Sequence, residues 1–220
     1  MEDTLIKIEN QLSRLIKCDL LPSNTYLAGG TAVYFYLRHR VSVDLDFFTP
    51  AEFNPEVVLF GLKQCFAEVH LEVMEKGTII ANISKDKIKF SLFRYPYKLL
   101  YPLRGIVTRD NTKFFAASLE DIESMKSVAI CQRGSAKDFI DMYFLLKQTG
   151  HSFSDLLQLV LSKYDLEEGY RYQLKTSIVY FEDAEKEIDM ITMLDNGKEK
   201  RALTQREWQE IKDFFLGYGR

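Results

Sequence analysis

Cysteine is scarce in this sequence. Cys18, Cys65 and Cys131 lie far apart, and no two of them form a C-x-x-C pair. An odd number of cysteines at such spacings excludes a disulfide scaffold and disfavours a zinc ribbon. Because disulfides are rare in reducing compartments, we expect reduced thiols and a cytoplasmic location.

Long hydrophobic runs are also missing. No segment approaches the roughly 18 consecutive apolar residues that a membrane span requires, so we expect no membrane partner. The opening segment MEDTLIKIEN lacks the basic start and apolar run of a signal peptide. The sequence has neither repeats nor low-complexity segments. Its net charge of -3 argues against a general nucleic-acid coat protein.

What is present is an ordinary globular composition. The 220 residues are 46% hydrophobic and 28% charged, which disfavours disorder. The charge is uneven, because Lys85–Lys113 contains eight lysines and arginines against only Asp86 and Asp110. Such a basic, aromatic-rich segment can attract a polyanion. It is equally typical of a solvated strand edge whose lysines discourage aggregation, and the sequence alone leaves both open.

Hydrophobic periodicity predicts an α/β front half. Residues 4–17 have helical spacing, TYLAGG reads as a strand entering a glycine turn, and TAVYFYLRHR reads as the next helix. VSVDLDFF alternates like a half-buried strand, and Asn54 caps a following helix. The segments VHLEVMEKG, TIIANIS and KIKFSLFRYPY predict an antiparallel meander.

Beyond Pro102 the pattern predicts helices. Ser118 with Asp121 and Ser135 with Asp138 form capping-box patterns, and Gly134 and Gly150 follow the two helices. The remainder also reads as helical and ends with a Thr204/Glu207 box. We therefore predict an α+β fold with an α/β core over residues 1–115 and a helical region over residues 116–220.

One constellation suggests chemistry. Gly29 and Gly30 lie at a strand-to-helix turn, where bare backbone amides and a helix N-terminus can hold a phosphate. Asp44 and Asp46 follow, and on a strand residues i and i+2 point to one side. Two adjacent carboxylates repel each other unless they share a cation, and their hard oxygens suit Mg²⁺. A turn or a solvated carboxylate pair accounts for each feature alone, but their combination favours metal-assisted phosphoryl or nucleotidyl transfer.

The motif GG-T, a helix and then R-V-S-V-D-L-D-F-F resembles the signature of minimal nucleotidyltransferases with the DNA polymerase β-like fold. The chain is similar to the AbiEii-type nucleotidyltransferase toxins of abortive-infection (type IV toxin–antitoxin) systems. The resemblance extends through YPYKLLYP, ASLEDIESMKSVAICQRGSAKDFIDMYFLL and VYFEDAEKE. It implies a mixed sheet flanked by helices, followed by a helical C-terminal half.

The resemblance also implies roles for individual residues. Asp44 and Asp46 would bind Mg²⁺ or Mn²⁺, and a later lysine and aspartates would complete the catalytic set. Those catalytic positions match Lys126, Asp138 and Asp141. The expected contacts to the phosphates and nucleotide of an NTP substrate come from Gly29, Gly30, Thr31, Arg40, Ser42, Arg133 and Lys137.

The second cluster is compatible with this role and also with a purely structural one. Lys126, Arg133 and Lys137 fall within about 40° on a helical wheel, so they could face a triphosphate together. Gly134 is expected to break the helix between them. The Ser135 cap accounts fully for Asp138, and Asp141 could pair with Lys137 at i,i+4.

One departure from the family pattern concerns the third carboxylate. Enzymes of this fold usually carry it on a strand after the D-x-D motif, where KIKFSLF offers Lys89 and then Ser91. A serine cannot bind Mg²⁺ as an anion. The histidines add little. His39, in the basic patch RHR, could touch a phosphate, but a surface turn is the favoured interpretation, and His70 and His151 read as structural or exposed.

The sequence thus predicts a Mg²⁺-dependent nucleotidyltransferase that moves an NMP from an NTP to an acceptor hydroxyl. The resemblance implies that the acceptor is RNA such as a tRNA 3′ end, and that a cognate antitoxin exists. Two alternatives stay open. One is a scaffold that has lost turnover and binds a protein partner, which Ser91 favours. The other is a different phosphotransferase, either kinase-like or of the antibiotic-modifying type.

Overall fold

The computed structural model describes residues 4–218, which form two compact units. The first unit comprises the chain up to Ala32 together with Ser42–Tyr97 and Leu103–Ala117. The second comprises Val33–Val41, Lys98–Pro102 and the chain from Ser118 onward. The division into domains 1–115 and 116–220 stays a prediction. So does the absence of a signal peptide, because residues 1–3 of its segment lie outside the described residues.

Helix α1 (Thr4–Lys17) opens the first unit and confirms the predicted amphipathic helix. Its apolar positions Leu5, Ile8, Leu12 and Leu15 are all buried. The spacing of three and four residues places them on one side of the helix, so the burial follows from the period. Helix α3 (Pro55–Cys65) is also confirmed, since the Asn54 side chain accepts a hydrogen bond from the Glu56 amide.

Within the described residues the first unit contains a seven-stranded mixed sheet, as predicted for an α+β fold. The spatial order of its strands is β3-β4-β5-β2-β1-β7-β6. The strands β3, β4 and β5 form the predicted antiparallel meander, whereas β2 pairs with β5 in parallel. The bounds are β1 (Tyr26–Leu27), β2 (Leu45–Thr49), β3 (Val69–Glu75), β4 (Thr78–Ile83), β5 (Ile88–Arg94), β6 (Arg104–Val107) and β7 (Lys113–Ala116).

Two predicted bounds near the glycine turn were wrong. Helix α2 (Gly29–Leu37) ends before RHR, because Arg38 adopts a left-handed backbone with φ of 51°. The strand in VSVDLDFF begins only at Leu45, so Asp44 immediately precedes it.

The expectation that the chain turns helical directly beyond Pro102 was also wrong. The strands β6 and β7 form an antiparallel hairpin first, and β7 pairs with β1 in parallel through Leu27 and Ala116. Each strand has only four residues, which is too short for periodicity to separate a strand from a loop.

The second unit is mainly helical. It packs around aromatic residues, with Phe139 in contact with Trp208 and Phe215, all of them buried. None of the helices within residues 4–218 is long and apolar enough to cross a membrane. The helices are α4 (Leu119–Gln132), α5 (Ala136–Thr149), α6 (Phe153–Tyr164), α7 (Tyr170–Ser177), α8 (Glu182–Glu185) and α9 (Gln205–Tyr218), with a short 3-10 turn at Ile188–Met190.

The predicted helix caps hold with one difference. The Ser118 hydroxyl accepts a hydrogen bond from the Asp121 amide. Thr204 and Glu207 form a capping box, in which the side chain of each accepts a hydrogen bond from the backbone amide of the other. Ser135 precedes α5 as predicted, but its hydroxyl donates to the Asp138 carboxylate and caps no backbone amide. The same carboxylate is also engaged by Lys126 and Arg133.

The last quarter of the chain departs from the predicted all-helical pattern. Strands β8 (Thr192–Asp195) and β9 (Glu199–Ala202) form an antiparallel hairpin. Its turn contains Asn196 and Gly197, both with positive φ. Asn-Gly between strands is a strong hairpin signal, so the sequence carried the information that the helical interpretation overlooked.

The expectation of reduced cysteines was wrong for two of the three. Cys18, just beyond α1, and Cys65, the last residue of α3, form a disulfide. Their sequence separation of 47 residues gave no local signal of pairing. Cys131 is free and half-buried.

Candidate active site

Asp44 and Asp46 lie at the start of β2 in the first unit. Asp44 and Asp46 are both half-buried, whereas the intervening Leu45 and the following Phe47 are buried. This alternation turns the two carboxylates to the same side of the sheet, although Asp44 lies one residue before the strand. The Asp46 carbonyl accepts a hydrogen bond from the Ala28 amide at 3.0 Å, which joins β2 to the segment that enters the glycine turn.

Ser91 is the neighbour of Asp46 on the adjacent strand. The parallel register of β2 and β5 pairs Asp46 with Ser91, so the two side chains share a face of the sheet. The serine is 1% exposed. The residue that stands where a third carboxylate is usual therefore lies directly beside the second carboxylate of the D-x-D motif.

Gly29 places the start of helix α2 against Asp46. Its φ is +66°, and a Cβ built on it would lie 2.7 Å from the Asp46 Oδ2 atom. A side chain at this position would displace the carboxylate, so only glycine fits. Gly30 and Thr31 continue the first helical turn, whose free amides form a potential anion site.

Two hydroxyls fasten the loop before β2 to this helix. The Thr31 Oγ1 atom donates to the Asp44 carbonyl and lies 2.9 Å from the Ser42 Oγ atom. Both hydroxyl residues are buried. They hold the backbone on which Asp44 sits, and their predicted contact with phosphate stays a prediction.

The donor set at this site fits a hard divalent cation. Asp44 and Asp46 supply carboxylate oxygens, and the Asp44 carboxylate accepts no hydrogen bond from any residue in 4–218. Mg²⁺ and Mn²⁺ are commonly held by one or two carboxylates together with substrate phosphates. Among the described residues there is no group of three or more His, Cys, Asp or Glu side chains that could hold a metal. A cation here would therefore rest on two carboxylates and the substrate.

A second cluster of predicted site residues forms within the second unit. Arg40 makes a bidentate ion pair with Asp141, with Nε–Oδ1 and Nη2–Oδ2 distances of 2.6 and 2.7 Å. His39 contacts the same carboxylate at 2.7 Å through Nε2, and Lys126 contacts it at 2.6 Å through Nζ. All four side chains are buried.

Asp138 extends this cluster towards the surface. Its carboxylate pairs with Lys126 Nζ at 3.0 Å and with Arg133 Nε at 2.8 Å, and it accepts a hydrogen bond from the Ser135 hydroxyl at 2.8 Å. The Arg133 side chain is 66% exposed, so the cluster reaches solvent at this end. Two carboxylates thus face three cations.

Burial and charge shift the pKa values of the cluster in consistent directions. Burial raises the pKa values of Asp138 and Asp141, but their neighbouring cations outweigh it and hold both carboxyls well below their usual range. Burial lowers the pKa of Lys126, but Asp141 and Asp138 outweigh it and raise that pKa. For His39 the effect of burial prevails over that of Asp141, so its pKa falls below its ordinary value.

These contacts overturn two local interpretations. Asp141 pairs with Arg40, His39 and Lys126 and not with Lys137, which is exposed. The row of Lys126, Arg133 and Lys137 on a single helical wheel does not exist, because Gly134 separates α4 from α5.

The histidines also differ from expectation in part. His39 is 4% exposed and lies 102 residues from Asp141, so neither its burial nor its partner had a local signal. His151 contacts the buried Glu123 carboxylate at 2.7 Å, and His70 is exposed on β3, as expected.

The structure therefore groups the predicted site residues into two sets. The first unit holds Gly29, Gly30, Thr31, Ser42, Asp44 and Asp46. The second unit brings together Arg40, Lys126, Arg133, Asp138 and Asp141, and leaves Lys137 apart from them on its surface. The catalytic roles of both sets stay predictions.

Comparison with known proteins gives a family and a relative. Residues 11–108 match the family described as "Nucleotidyl transferase AbiEii toxin, Type IV TA system". An uncharacterized protein of Aquifex aeolicus is 36% identical over 194 residues, which cover 86% of this chain and 84% of the relative.

Two solved structures share the fold. JHP933 from Helicobacter pylori has a TM-score of 0.58 at 18% identity, covering 98% of this chain and 92% of its own. MenT4, a nucleotidyltransferase toxin from Mycobacterium tuberculosis, has a TM-score of 0.58 at 12% identity, covering 97% and 82%. The predicted nucleotidyltransferase fold is confirmed.

Proposed function

Because the chain belongs to the AbiEii family of nucleotidyltransferase toxins, we propose that it transfers an NMP from an NTP to an acceptor hydroxyl with Mg²⁺ or Mn²⁺. The observation that carries this proposal is the fit of Gly29 against Asp46 at the start of helix α2. This fit supports the proposal because a helix N-terminus, which can bind a phosphate, lies against a carboxylate, which can bind a cation.

The reaction exchanges one bond at the α-phosphorus. The acceptor hydroxyl gives up its proton to solvent water, its oxygen forms the new bond to this phosphorus, the bond to the β-phosphate bridging oxygen breaks, and pyrophosphate leaves. Asp44 and Asp46 would hold the cation, which when bound neutralises triphosphate charge and acidifies the acceptor hydroxyl. The amides of Gly30 and Thr31 would bind the phosphates of the leaving pyrophosphate.

The residues of the second cluster have positioning roles in this proposal. Asp138 and Asp141 hold Lys126 and Arg40 in fixed, charged states, as their contacts and pKa directions indicate. The contact of Lys126 with the triphosphate, and the positive charge that Arg133, Lys137 and Arg40 would add there, are roles that rest on the family resemblance. The two aspartates would act through these cations and not as metal ligands.

RNA is the proposed acceptor. The basic segment Lys85–Lys113 belongs largely to the first unit, and part of its charge is already paired: Arg94 contacts Glu52 and Arg109 contacts Glu9. The remaining lysines can attract a phosphate backbone. A toxin that modifies RNA would act in the cytoplasm and require a cognate antitoxin.

The test is label transfer. The chain is incubated with RNA, Mg²⁺ or Mn²⁺ and each of the four [α-³²P]NTPs, with [γ-³²P]ATP in a parallel arm. We expect labelled RNA and released pyrophosphate from at least one α-labelled nucleotide, and none from Asp46→Asn. Asp86→Asn, which removes an exposed carboxylate paired with Lys7, serves as the matched control. Label from the γ-position alone would identify a different phosphotransferase.

A second candidate function is favoured by Ser91. With serine beside Asp46, the site lacks a third carboxylate that could accept the proton of the attacking hydroxyl while Asp44 and Asp46 hold the cation. A scaffold without turnover that binds a protein partner would have this composition. Calorimetry separates the two, because the transferase binds NTP only with a divalent cation and the scaffold shows no metal-dependent nucleotide binding.

A further inference from the structure

Four aromatic side chains form a connected row in the first unit, named here the aromatic ladder: Phe93, Phe48, Tyr95 and Tyr97. The ring centroids of Phe48 lie 5.5 Å from Phe93 and 5.1 Å from Tyr95, and Tyr95 lies 4.8 Å from Tyr97. Tyr97 is 44% exposed at the end of the row. Part of the Tyr97 ring is therefore accessible to a ligand.

The aromatic ladder lies on the same sheet face as the candidate metal site. The parallel register pairs Asp46 with Ser91 and, two residues further, Phe48 with Phe93. Because side chains two residues apart share a face, Phe48 follows Asp46 at a distance of about 7 Å along the strand. The ladder is thus a direct continuation of the site.

The direction from Asp46 to Phe48 is also informative. Strand β1 runs antiparallel to β2, so that Ala28 lies opposite Asp46 and Tyr26 opposite Phe48. Moving along β2 from Asp46 to Phe48 therefore leads away from Gly29 and the helix N-terminus. In the proposed function the phosphates would therefore lie on one side of Asp46 and the aromatic ladder on the other.

The geometry of phosphoryl transfer assigns an occupant to the aromatic side. The attacking and leaving oxygens lie roughly in line across the phosphorus. If pyrophosphate leaves at the amides of Gly30 and Thr31, the acceptor hydroxyl approaches from the opposite side, where the ladder begins. The part of the acceptor that carries this hydroxyl then lies against the aromatic rings.

We propose that the aromatic ladder stacks with the terminal nucleobase of a single-stranded RNA acceptor and so positions its 3′-hydroxyl. This inference rests on the proposed function. Stacking depends on the flat face that every base has, so the ladder selects for the presence of a base and tolerates its identity. The exposed Tyr97 offers the first contact, and the inner rings fix the sheet surface beneath it.

The experiment measures the contribution of the terminal base to binding. Fluorescently labelled hexaribonucleotides, ending either in one of the four bases or in an abasic ribose, are titrated with the wild type, Tyr97→Ala and Tyr97→Phe in Mg²⁺. Phe115→Ala is the matched control, because Phe115 is a 58% exposed aromatic residue on β7 of the same unit.

We expect the wild type to bind base-ended strands about 5- to 150-fold more tightly than the abasic strand, the range that stacking on one aromatic side chain supplies. Tyr97→Ala should remove most of this ratio, Tyr97→Phe should restore it, and Phe115→Ala should retain it. A ratio unchanged in Tyr97→Ala, or equal losses in Tyr97→Ala and Phe115→Ala, overturns the proposal.

A second readout is independent of affinity and activity. In Tyr97→Trp the new indole should be quenched by a base-ended strand and not by the abasic one, against the constant signal of the buried Trp208. Quenching of equal size in Phe115→Trp contradicts the assignment. Label transfer by the wild type decides separately on the proposed function: transfer with an unchanged base ratio in Tyr97→Ala refutes the ladder alone, whereas absence of transfer refutes the function.

Discussion

Gly29 and Asp46 fit so closely that a single added methyl group on the glycine would lie 2.7 Å from the carboxylate oxygen. The glycine also has a positive φ of 66°, which disfavours any L side chain. Two independent reasons thus require glycine at this position, and both concern the geometry of the candidate active site.

Replacing this glycine should separate activity from folding. Gly29→Ala is expected to displace the Asp46 carboxylate and abolish label transfer, while lowering the free energy of unfolding by about 1–2 kcal/mol for the left-handed backbone. Gly105→Ala is the matched control, since a Cβ there meets nothing within 4 Å. The check is label transfer together with chemical denaturation. Full transfer by Gly29→Ala would contradict the assigned role of this contact.

The carboxylate pair should respond to metal and nucleotide together. The free energy of unfolding of the wild-type protein is expected to rise by about 2.7 kcal/mol when Mg²⁺-NTP is present at a hundredfold excess over Kd. Asp44→Asn and Asp46→Asn should lose that gain and keep or slightly raise their stability without ligand, because charge repulsion is relieved. Thermal unfolding with and without the cation measures it. An Asp44→Asn protein that responds in full would refute the metal assignment.

Asp141 should be the most sensitive residue of the second cluster. Asp141→Ala leaves the buried Arg40 and Lys126 without their shared carboxylate. We therefore expect the free energy of unfolding to fall by about 3–5 kcal/mol. Asp183→Ala, which breaks an exposed pair with Lys186, should have little effect. Urea denaturation compares the two. Equal midpoints would show that the cluster contributes no stability.

His39 should make stability depend on pH between about 7 and 5. Burial lowers the pKa of this ring below its ordinary 6.5, although Asp141 opposes it. The unfolded chain then binds a proton more readily than the folded one, so the free energy of unfolding falls as pH drops below 6.5. Asp138 and Asp141, with lowered pKa values, stay charged in this range.

His39→Gln is expected to reduce this pH slope, because its amide can donate to Asp141 without titrating. His70→Gln, at an exposed position, should keep the wild-type slope. The free energy of unfolding is measured by denaturation at intervals between about pH 7 and pH 5. Parallel plots of this free energy against pH for the wild type and His39→Gln would contradict the prediction.

The disulfide should contribute measurably to stability. It closes a loop across a separation of 47 residues, for which the chain-entropy model gives about 4 kcal/mol. Reduction, or the double variant Cys18→Ser with Cys65→Ser, is expected to lower the free energy of unfolding accordingly. Cys131→Ser, at the free cysteine, is the control. No change on reduction would mean that the pair does not form in solution.

The sequence predicted those features that local rules determine. The apolar spacing of α1, the Asn54 and Ser118 caps and the β3-β4-β5 meander all depend on residues within a few positions of one another. The D-x-D motif and the glycine turn were visible for the same reason. The Asn196-Gly197 hairpin was equally local and was overlooked.

The rest had no local signal. Asp141 meets Arg40 across 101 residues, and Cys18 meets Cys65 across 47. A charged residue on a helix fits a short-range pair as well as a distant one, which is why Asp141 was paired with Lys137 by spacing alone. Only tertiary structure distinguishes these possibilities.

The two-residue strand β1 has a consequence for the order in which the protein becomes competent. Tyr26–Leu27 lies between β2 and β7, and Leu27 pairs with Ala116 far along the chain. A ribosome-bound chain that already contains Asp44, Asp46 and Ser91 still lacks Ala116, the partner of Leu27. Because Ala116 is synthesised after these residues, strand β1 can pair with β7 only after residue 116 has left the exit tunnel. Synthesis itself thus delays the assembly of the site.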